Sequence, residues 1–319
     1  MAVLTRTLYT TRFALMGGQA VVRFVDGRGQ EFAERVARAA EQEARRIERK
    51  FSRYRADSVV SQINQNAGRY PVIVDEETEF LVRSALELST RTQGRFDPTV
   101  GILRRVWDFK AGRMPSAEEL AQLLLLVDAG SVSLRSGSVY LERRGMELDL
   151  GGVGKEYAVD RVTELLQTED VESAIVNFLG DVRTFGSRGD GLPWTIGVLD
   201  PRNPGRCLFS IRAKAGAGVA TSGDYERGFT QDGVRYHHIL DATTGRPARG
   251  LASVTVIAPT AFAAGCLASA VFLLGAEAGL RLIEASPSAE GALITESGQV
   301  IASSGMARIS DLRTERQAS

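Results

Sequence analysis

Four segments of this chain place glycines beside groups that handle charge or protons. They are Gly94-Arg95-Phe96-Asp97-Pro98-Thr99, Leu148-Asp149-Leu150-Gly151-Gly152-Val153-Gly154-Lys155, Ala220-Thr221-Ser222-Gly223-Asp224-Tyr225 and His237-His238-Ile239-Leu240-Asp241-Ala242-Thr243-Thr244-Gly245. In the second, the glycines run from a strand into a helix. Backbone amides there can approach an anion, and the start of the helix favours negative charge. Lys155 adds a point charge suited to phosphate, although glycines at such a turn are also used for purely structural reasons. Thr221 and Ser222 fit either a hydrogen-bonded turn or a ligand contact, and both readings stay open. A histidine beside an aspartate at a strand end can serve as a general base near neutral pH, or simply as a hydrogen-bonded structural residue.

The chain has only two histidines, so a multi-histidine metal site is excluded. A metal here would be held mainly by oxygen, which suits magnesium or calcium better than zinc. Cys207 and Cys266 lie far apart without metal-knuckle spacing and are expected to be a reduced, packed pair. Lysine plus arginine number 39 and aspartate plus glutamate 39, so no net charge draws the chain to nucleic acid or an anionic membrane. With 44% hydrophobic and 24% charged residues, the composition is that of a globular protein rather than a disordered one. The first residues show no continuous apolar signal region and no lipobox cysteine. The longest apolar stretch, Ala261 to Gly275, is shorter than the roughly 20 residues of a membrane-spanning helix. A buried core helix and a soluble, cytoplasmic protein are therefore expected.

The elements that would position these residues are interspersed helices and strands. Phe32, Val36, Ala40, Ala44, Ile47 and Phe51 recur at spacings of three and four, which predicts a long amphipathic helix. Strands are expected either side of Met16-Gly17-Gly18 over residues 12–25. A helix is expected from near Asp75 to Gly94, and another behind a Ser116/Glu119 capping box. Strands follow at 132–135, 138–142 and 146–150, then a helix over Lys155 to Gln167. Further strands are expected near 173–178, 194–199, 208–212, 217–221, 234–240 and 252–258. Helices at 261–275 and 277–285 and strands at 291–295 and 299–303 complete the series. The pattern lacks regular alternation and reads as α+β: one domain over 1–319, mixed or antiparallel sheets flanked by helices, and a helical insertion near 110–130.

Taken together, and in this order, FSRY at 51–54 with Asp57-Ser58, GRFDPTVG at 94–101, LDLGGVGKEYAVD at 148–160, ATSGDY at 220–225 and HHILDATTG at 237–245 resemble the ApbE-like FAD:protein FMN transferases. The resemblance runs from Met16 to Gly275. It implies a single T-fold-like domain that holds FAD and magnesium and moves FMN to a threonine or serine hydroxyl of a flavoprotein acceptor, releasing AMP. By motif, it implies that Met16 and Tyr54 line a flavin pocket, and that Phe96, Asp97 and the backbone around Arg95 contact the dinucleotide. Asp149 and Lys155 would contact FAD, Thr221 and Ser222 would frame its diphosphate, and His238 would take the hydroxyl proton.

The metal site departs from that pattern. Where the family runs close to Ala-Asp-Ala-Leu-Ala-Thr-Ala, this chain has Ala264-Gly265-Cys266-Leu267-Ala268-Ser269-Ala270. Gly265 replaces the metal-binding aspartate and Ser269 the threonine, leaving Ser269 and a carbonyl near Gly152. Softer departures are Met-Gly-Gly for Met-Gly-Thr, Glu156 for the glycine after the lysine, and Leu179-Gly180-Asp181 for Gly-Gly-Asp. Magnesium is then expected to be weakened or absent unless another carboxylate, with Asp224 and Asp241 as candidates, substitutes. Two readings follow: an active FMN transferase, in which Gly265→Asp should raise turnover if the ligand is limiting, or a non-catalytic flavin carrier or sensor. A scaffold that binds a partner and no nucleotide is the third.

Overall fold

The hairpin expected around Met16 is longer than its apolar core suggests: β1 (Thr7–Leu15) pairs antiparallel with β2 (Gly18–Asp26) in full register. The computed structural model describes residues 6–203 and 205–312, so the ends of the 1–319 span lie outside the described residues. Met16 and Gly17 form the whole turn, with φ of 49° and 81°. Positive φ at both central residues is what a two-residue hairpin following the strand twist requires. Glycine adopts it freely; a methionine does so only against steric resistance.

Behind the hairpin, α1 (Gln30–Phe51) buries Ala33, Val36, Ala40, Ala44, Ile47 and Phe51, the predicted stripe. Then come α2 (Val59–Gln65), capped by the Ser58 hydroxyl, and α3 (Glu76–Arg91), capped by Asp75. Next is α4 (Ala117–Leu124), whose Ser116/Glu119 capping box is present as expected. The 110–130 segment holds this short helix and a 3-10 turn at Ala129–Ser131. After α5 (Gly154–Thr168), six strands join the hairpin: β3 (Ser173–Phe178), β4 (Asp181–Phe185), β5 (Gly218–Gly223), β6 (Leu251–Ala258), β7 (Glu290–Thr295) and β8 (Val300–Ala302). Each pairs antiparallel with its neighbours in the order β1 to β8, giving one eight-stranded sheet.

Helices α1, α5 and α6 (Ala261–Leu274) cover one face of the sheet, and α7 (Ala276–Glu284) packs beside α6. On the other face, a two-stranded ribbon, Trp194–Leu199 with Cys207–Ala213, packs Ile196, Val198, Phe209 and Ile211 against Val182, Val219 and Ile257. The α+β expectation is met. The apolar run at 261–274 is a core helix, and no described helix is long and apolar enough to cross a membrane.

Three expectations change. Residues 146–150 form no strand: the side-chain amide of Asn64 accepts from the Leu148 N–H at 2.7 Å and donates to its carbonyl at 3.0 Å, while the Asp149 N–H goes to Pro98 O at 2.7 Å. The segment is extended, but its hydrogen bonds go to a side chain and a loop rather than to a strand. Residues 234–240 break into Val234–His237 and Leu240–Asp241. The cysteines are free as expected, but only Cys266 packs; Cys207 is exposed.

Glu77 ties α3 to α1, accepting from Arg46 at 2.7 Å, Lys50 at 2.5 Å and the Tyr157 hydroxyl at 3.0 Å. Burial pushes its carboxyl up, but the hydrogen bonds from Arg46, Lys50 and Tyr157 more than reverse this and bring it from an ordinary 4.5 to about 2. A depressed carboxyl stabilises the fold above its unfolded pKa, and the contribution fades as pH falls through the folded value. We expect Glu77→Gln to lower the Tm at pH 7, and the gap from the parent to close between pH 4.5 and about 2. A gap independent of pH would mean that the pairs contribute only through packing.

Candidate functional site

A cavity of about 670 Å³ opens where the β1–β2 turn, the end of α1, the start of α5, β5 and α6 converge. That volume lies within the roughly 300–1,000 Å³ of small-molecule sites. Met16, Tyr54, Phe96, Asp97, Asp149, Gly152, Lys155, Thr221, Ser222, His238 and Ser269 all line it. Of the residues that the family resemblance assigns to the site, only Arg95 is not on its wall. The Arg95 guanidinium instead lies 3.0 Å from Asp241 and donates to Leu273 O at 3.3 Å, while its carbonyl accepts from the Ala242 N–H at 2.9 Å. Arg95 fastens the glycine loop to the segment after His238.

At the mouth, Tyr54 is 75% exposed, its hydroxyl accepts from Arg104 at 3.1 Å and the Arg53 guanidinium lies 5.9 Å over its ring, leaving exposed aromatic surface that can stack on a planar ligand. Met16 lines the same cavity, its backbone N–H donating to Glu48 at 2.6 Å. Phe96 closes the floor against the glycine turn. A Cβ on Gly152 would come within 2.8 Å of the Phe96 ring, so a side chain at 152 would displace it.

Two of the acidic residues act through neighbours. The Asp97 carboxylate accepts from the Thr99 N–H at 2.7 Å, the Thr99 hydroxyl at 2.5 Å and the Ala129 N–H at 2.7 Å. Both its oxygens are thereby committed to loop structure. Asp149 accepts from the Gly151 N–H at 2.8 Å and pairs with Arg53 at 3.1 Å and Arg104 at 3.4 Å. It thus sets the glycine turn and orients two guanidinium groups. Arg53, Arg104 and Arg227 also line the cavity beside Lys155, so four cations face it. None of the three arginines was expected; Arg53 lies inside the FSRY segment, but an arginine-rich chain gives Arg104 and Arg227 no mark of their own.

Alternation along β5 separates Thr221 from Ser222. The Ser222 hydroxyl lies on the α6 side, 3.5 Å from that of Ser269, whereas the Thr221 hydroxyl pairs with Thr255 at 2.9 Å. The histidines part where the Val234–His237 strand ends. His237 is buried, with Nε2 2.9 Å from Ala248 O and its ring edge-on to Phe272. His238 faces the cavity. Its Nδ1 lies 3.3 Å from Arg227 O, and its N–H donates to the same carbonyl at 3.1 Å. A carbonyl can only accept, so this contact puts the proton on Nδ1 and leaves Nε2 a lone pair. Burial, with the nearby arginines, pushes the imidazole down to about 3. It is therefore neutral at physiological pH, with the Nε2 lone pair unprotonated.

The corner between α5 and α6 holds oxygen donors. The Lys155 ammonium lies 2.6 Å from Asp181. Burial pulls the ammonium down, but the Asp181 and Glu156 carboxylates more than reverse this, so Lys155 stays charged. Beside it, Glu156 is 8% exposed, and one of its carboxylate oxygens has no hydrogen-bond partner. Burial and the neighbouring Asp181 push its carboxyl well up. Among the described residues no three His, Cys, Asp or Glu side chains cluster as a ready metal cage. The hydroxyls of Ser222 and Ser269 and an unpartnered buried carboxylate nonetheless fit a hard cation such as magnesium, which needs few protein ligands when phosphates and water complete its shell. Neither expected substitute carboxylate lines the cavity: Asp224 is held in a two-pronged pair by Arg202 at 2.7 Å, and Asp241 by Arg95 and Thr243.

Known proteins resemble this chain over most of its length. The FAD:protein FMN transferase of Treponema pallidum is 34% identical over 274 residues, 80% of this chain and 76% of its own. One from Klebsiella pneumoniae is 36% identical over 255 residues, 78% of this chain and 79% of its own. Among solved structures, the ApbE protein of Thermotoga maritima superposes with a TM-score of 0.85 at 37% identity, covering 95% of this chain and 99% of that one. The flavin transferase ApbE of Vibrio cholerae gives 0.86 at 28%, with the same coverage. The sequence model of the ApbE family matches residues 16–294, a span that takes in every residue lining the cavity from Met16 to Leu273, and the chain belongs to that family.

Proposed function

We propose that this chain is an FAD:protein FMN transferase, with His238 as its general base. The observation that carries the reading is the pairing, in one cavity, of an imidazole held neutral with a free Nε2 and a wall of four cations. A dinucleotide whose flavin lies toward Tyr54 and Met16 would bring its pyrophosphate to Lys155, Arg53 and Arg104. The acceptor's threonine or serine hydroxyl gives its proton to His238 Nε2, and its oxygen attacks the phosphorus that carries riboflavin. The bond from that phosphorus to the bridging oxygen breaks, AMP leaves with the electron pair, and a phosphoester joins FMN to the acceptor. Little covalent work falls to the protein. Its part is to position the groups and to oppose the phosphate charge.

Magnesium, when bound, would neutralise phosphate charge; Ser269 and a carbonyl near Gly152 would help to hold it. Lys155 and the amides at the start of α5 act on the same phosphates without it. A flavoprotein with an accessible threonine or serine hydroxyl is the working acceptor. The test is a titration of flavin-free protein with FAD, with and without magnesium, while AMP is assayed in the presence of a threonine- or serine-bearing acceptor. The proposal expects FAD binding strengthened by magnesium, with one AMP per flavin transferred. FAD binding without AMP under those conditions would favour the carrier or sensor reading, and no FAD binding would leave only a scaffold.

A further inference from the structure

In this chain the carboxylate missing from position 265 has a replacement: we infer that Glu156, reaching across from α5, supplies the protein's carboxylate ligand to the divalent cation at the α5–α6 corner. The inference rests on the transferase reading for the cation's presence, but the assignment comes from this chain's geometry. A Cβ built on Gly265 would lie 2.3 Å from Glu156 Cγ, 2.7 Å from its Cδ and 2.9 Å from its Oε1. The Glu156 carboxylate thus stands where a side chain at 265 would project. Gly265 lies one turn before Ser269 on α6, so the carboxylate shares a helix face with that hydroxyl. Glu156 also lines the cavity.

A carboxylate this buried is costly unless something opposes it. Lys155 is directed to Asp181, whose other oxygen accepts from the Thr221 N–H at 3.2 Å, so it does not hydrogen-bond Glu156. Glu156 is left with a buried oxygen that has no partner. A cation between it and Ser269 would satisfy that oxygen, and so would a proton shared with Asp181. The two residues also explain each other. Glycine at 265 leaves room for the longer side chain, and glutamate at 156, where the family resemblance has glycine, fills it. By the same geometry, Gly265→Asp alone restores nothing, because the new side chain would collide with Glu156.

Manganese serves as the probe, its binding to FAD-loaded protein followed by electron paramagnetic resonance and calorimetry, with FAD affinity measured separately. Glu156→Gln should weaken manganese binding by at least the ~10–100-fold that outer-shell partners of metal ligands cost, with FAD still bound. The double variant Glu156→Gly with Gly265→Asp should recover most of that loss. Gly265→Asp alone should lower the Tm and bind manganese no better than the parent. Undiminished manganese binding in Glu156→Gln, or none in the FAD-loaded parent, would overturn the assignment in favour of a proton shared with Asp181. A parent that binds no FAD at all would instead overturn the function on which the assignment rests.

Discussion

Replacing His238 with alanine is expected to slow AMP formation from FAD by about 10²–10⁴-fold, the usual contribution of a positioned general base, while FAD still binds. The separation follows from what the side chain touches. Its polar contact within the protein is the Arg227 carbonyl at 3.3 Å, so truncation removes the base without opening the core or removing a phosphate-binding cation. His238 and His237 should differ in kind. Alanine at 237 would leave a hole beside Phe272 and an unmet Ala248 carbonyl, and should act mainly on stability. The pH profile gives a second check. Burial takes His238 from an ordinary 6.5 down to about 3, so the base form persists well below neutrality. The acid limb of kcat/KM for the free enzyme should accordingly lie below pH 6.5. The stability sign is fixed as well: the unfolded chain takes up a proton near 6.5 that the folded one refuses until about 3. The parent therefore loses stability over that interval, and the alanine variant lacks this loss. An alanine variant that forms AMP at the parent rate would remove His238 from the reaction.

Much of this fold can be read from pattern. The stripe on α1, the capping box of α4 and the apolar run of α6 are local signals, and each appears where its periodicity or cap placed it. The missed elements lack such signals. Strand β4, Asp181–Phe185, carries an aspartate and an arginine in five residues, because Asp181 answers Lys155 and Arg183 answers Asp160. Helix α2 is only seven residues long and shows its Ser58 cap only once the chain has turned. The site divides in the same way. Glycine turns and a histidine pair could be found along the chain, and the residues assigned by resemblance, Arg95 apart, meet at one cavity, while the substitute carboxylates Asp224 and Asp241 do not. Which of two adjacent residues faces that cavity depends on strand pairing, which selected His238 over His237 and turned the Ser222 hydroxyl toward Ser269. Glu156 could not have been found alone. As a residue in the first turn of α5 it reads as an ordinary partner for the helix dipole, and its other meaning depends on the absence of a side chain more than a hundred positions away.

The largest loss of stability is expected from Asp160→Ala, which should cost about 3–5 kcal/mol, the range for removing one partner of a buried ion pair. Asp160 lies on α5 and is buried, yet it works for α6. One carboxylate oxygen accepts from the Ala261 N–H and the other from the Phe262 N–H, each at 2.9 Å. These are first-turn amides of α6 with no carbonyl within their own helix to meet. The Arg183 guanidinium, on β4, lies 3.1 Å from the same carboxylate and is itself largely buried. Burial pushes the Asp160 carboxyl up, against the Phe262 amide, the Arg183 charge and the Ala261 amide, which favour its ionised form. Alanine would leave two amides without their acceptor and take from the Arg183 guanidinium the nearer of its two carboxylates, the other being Glu164 at 3.6 Å. Asparagine keeps one oxygen and the volume, and should cost roughly the 1–3 kcal/mol of a single unmet buried group. Denaturant unfolding of the parent and both variants measures the difference. A loss below about 1 kcal/mol for alanine, well short of the buried-pair range, would show that water or Glu164 takes over the role of Asp160. A second effect separates position from mere stability. Because α6 carries Ser269 a few turns further on, an α6 start freed from α5 should weaken manganese binding to the folded, FAD-loaded protein, even at temperatures where Asp160→Ala remains folded. Undisturbed manganese binding would mean that β5 and β6, against which α6 packs, are enough to hold Ser269 in place.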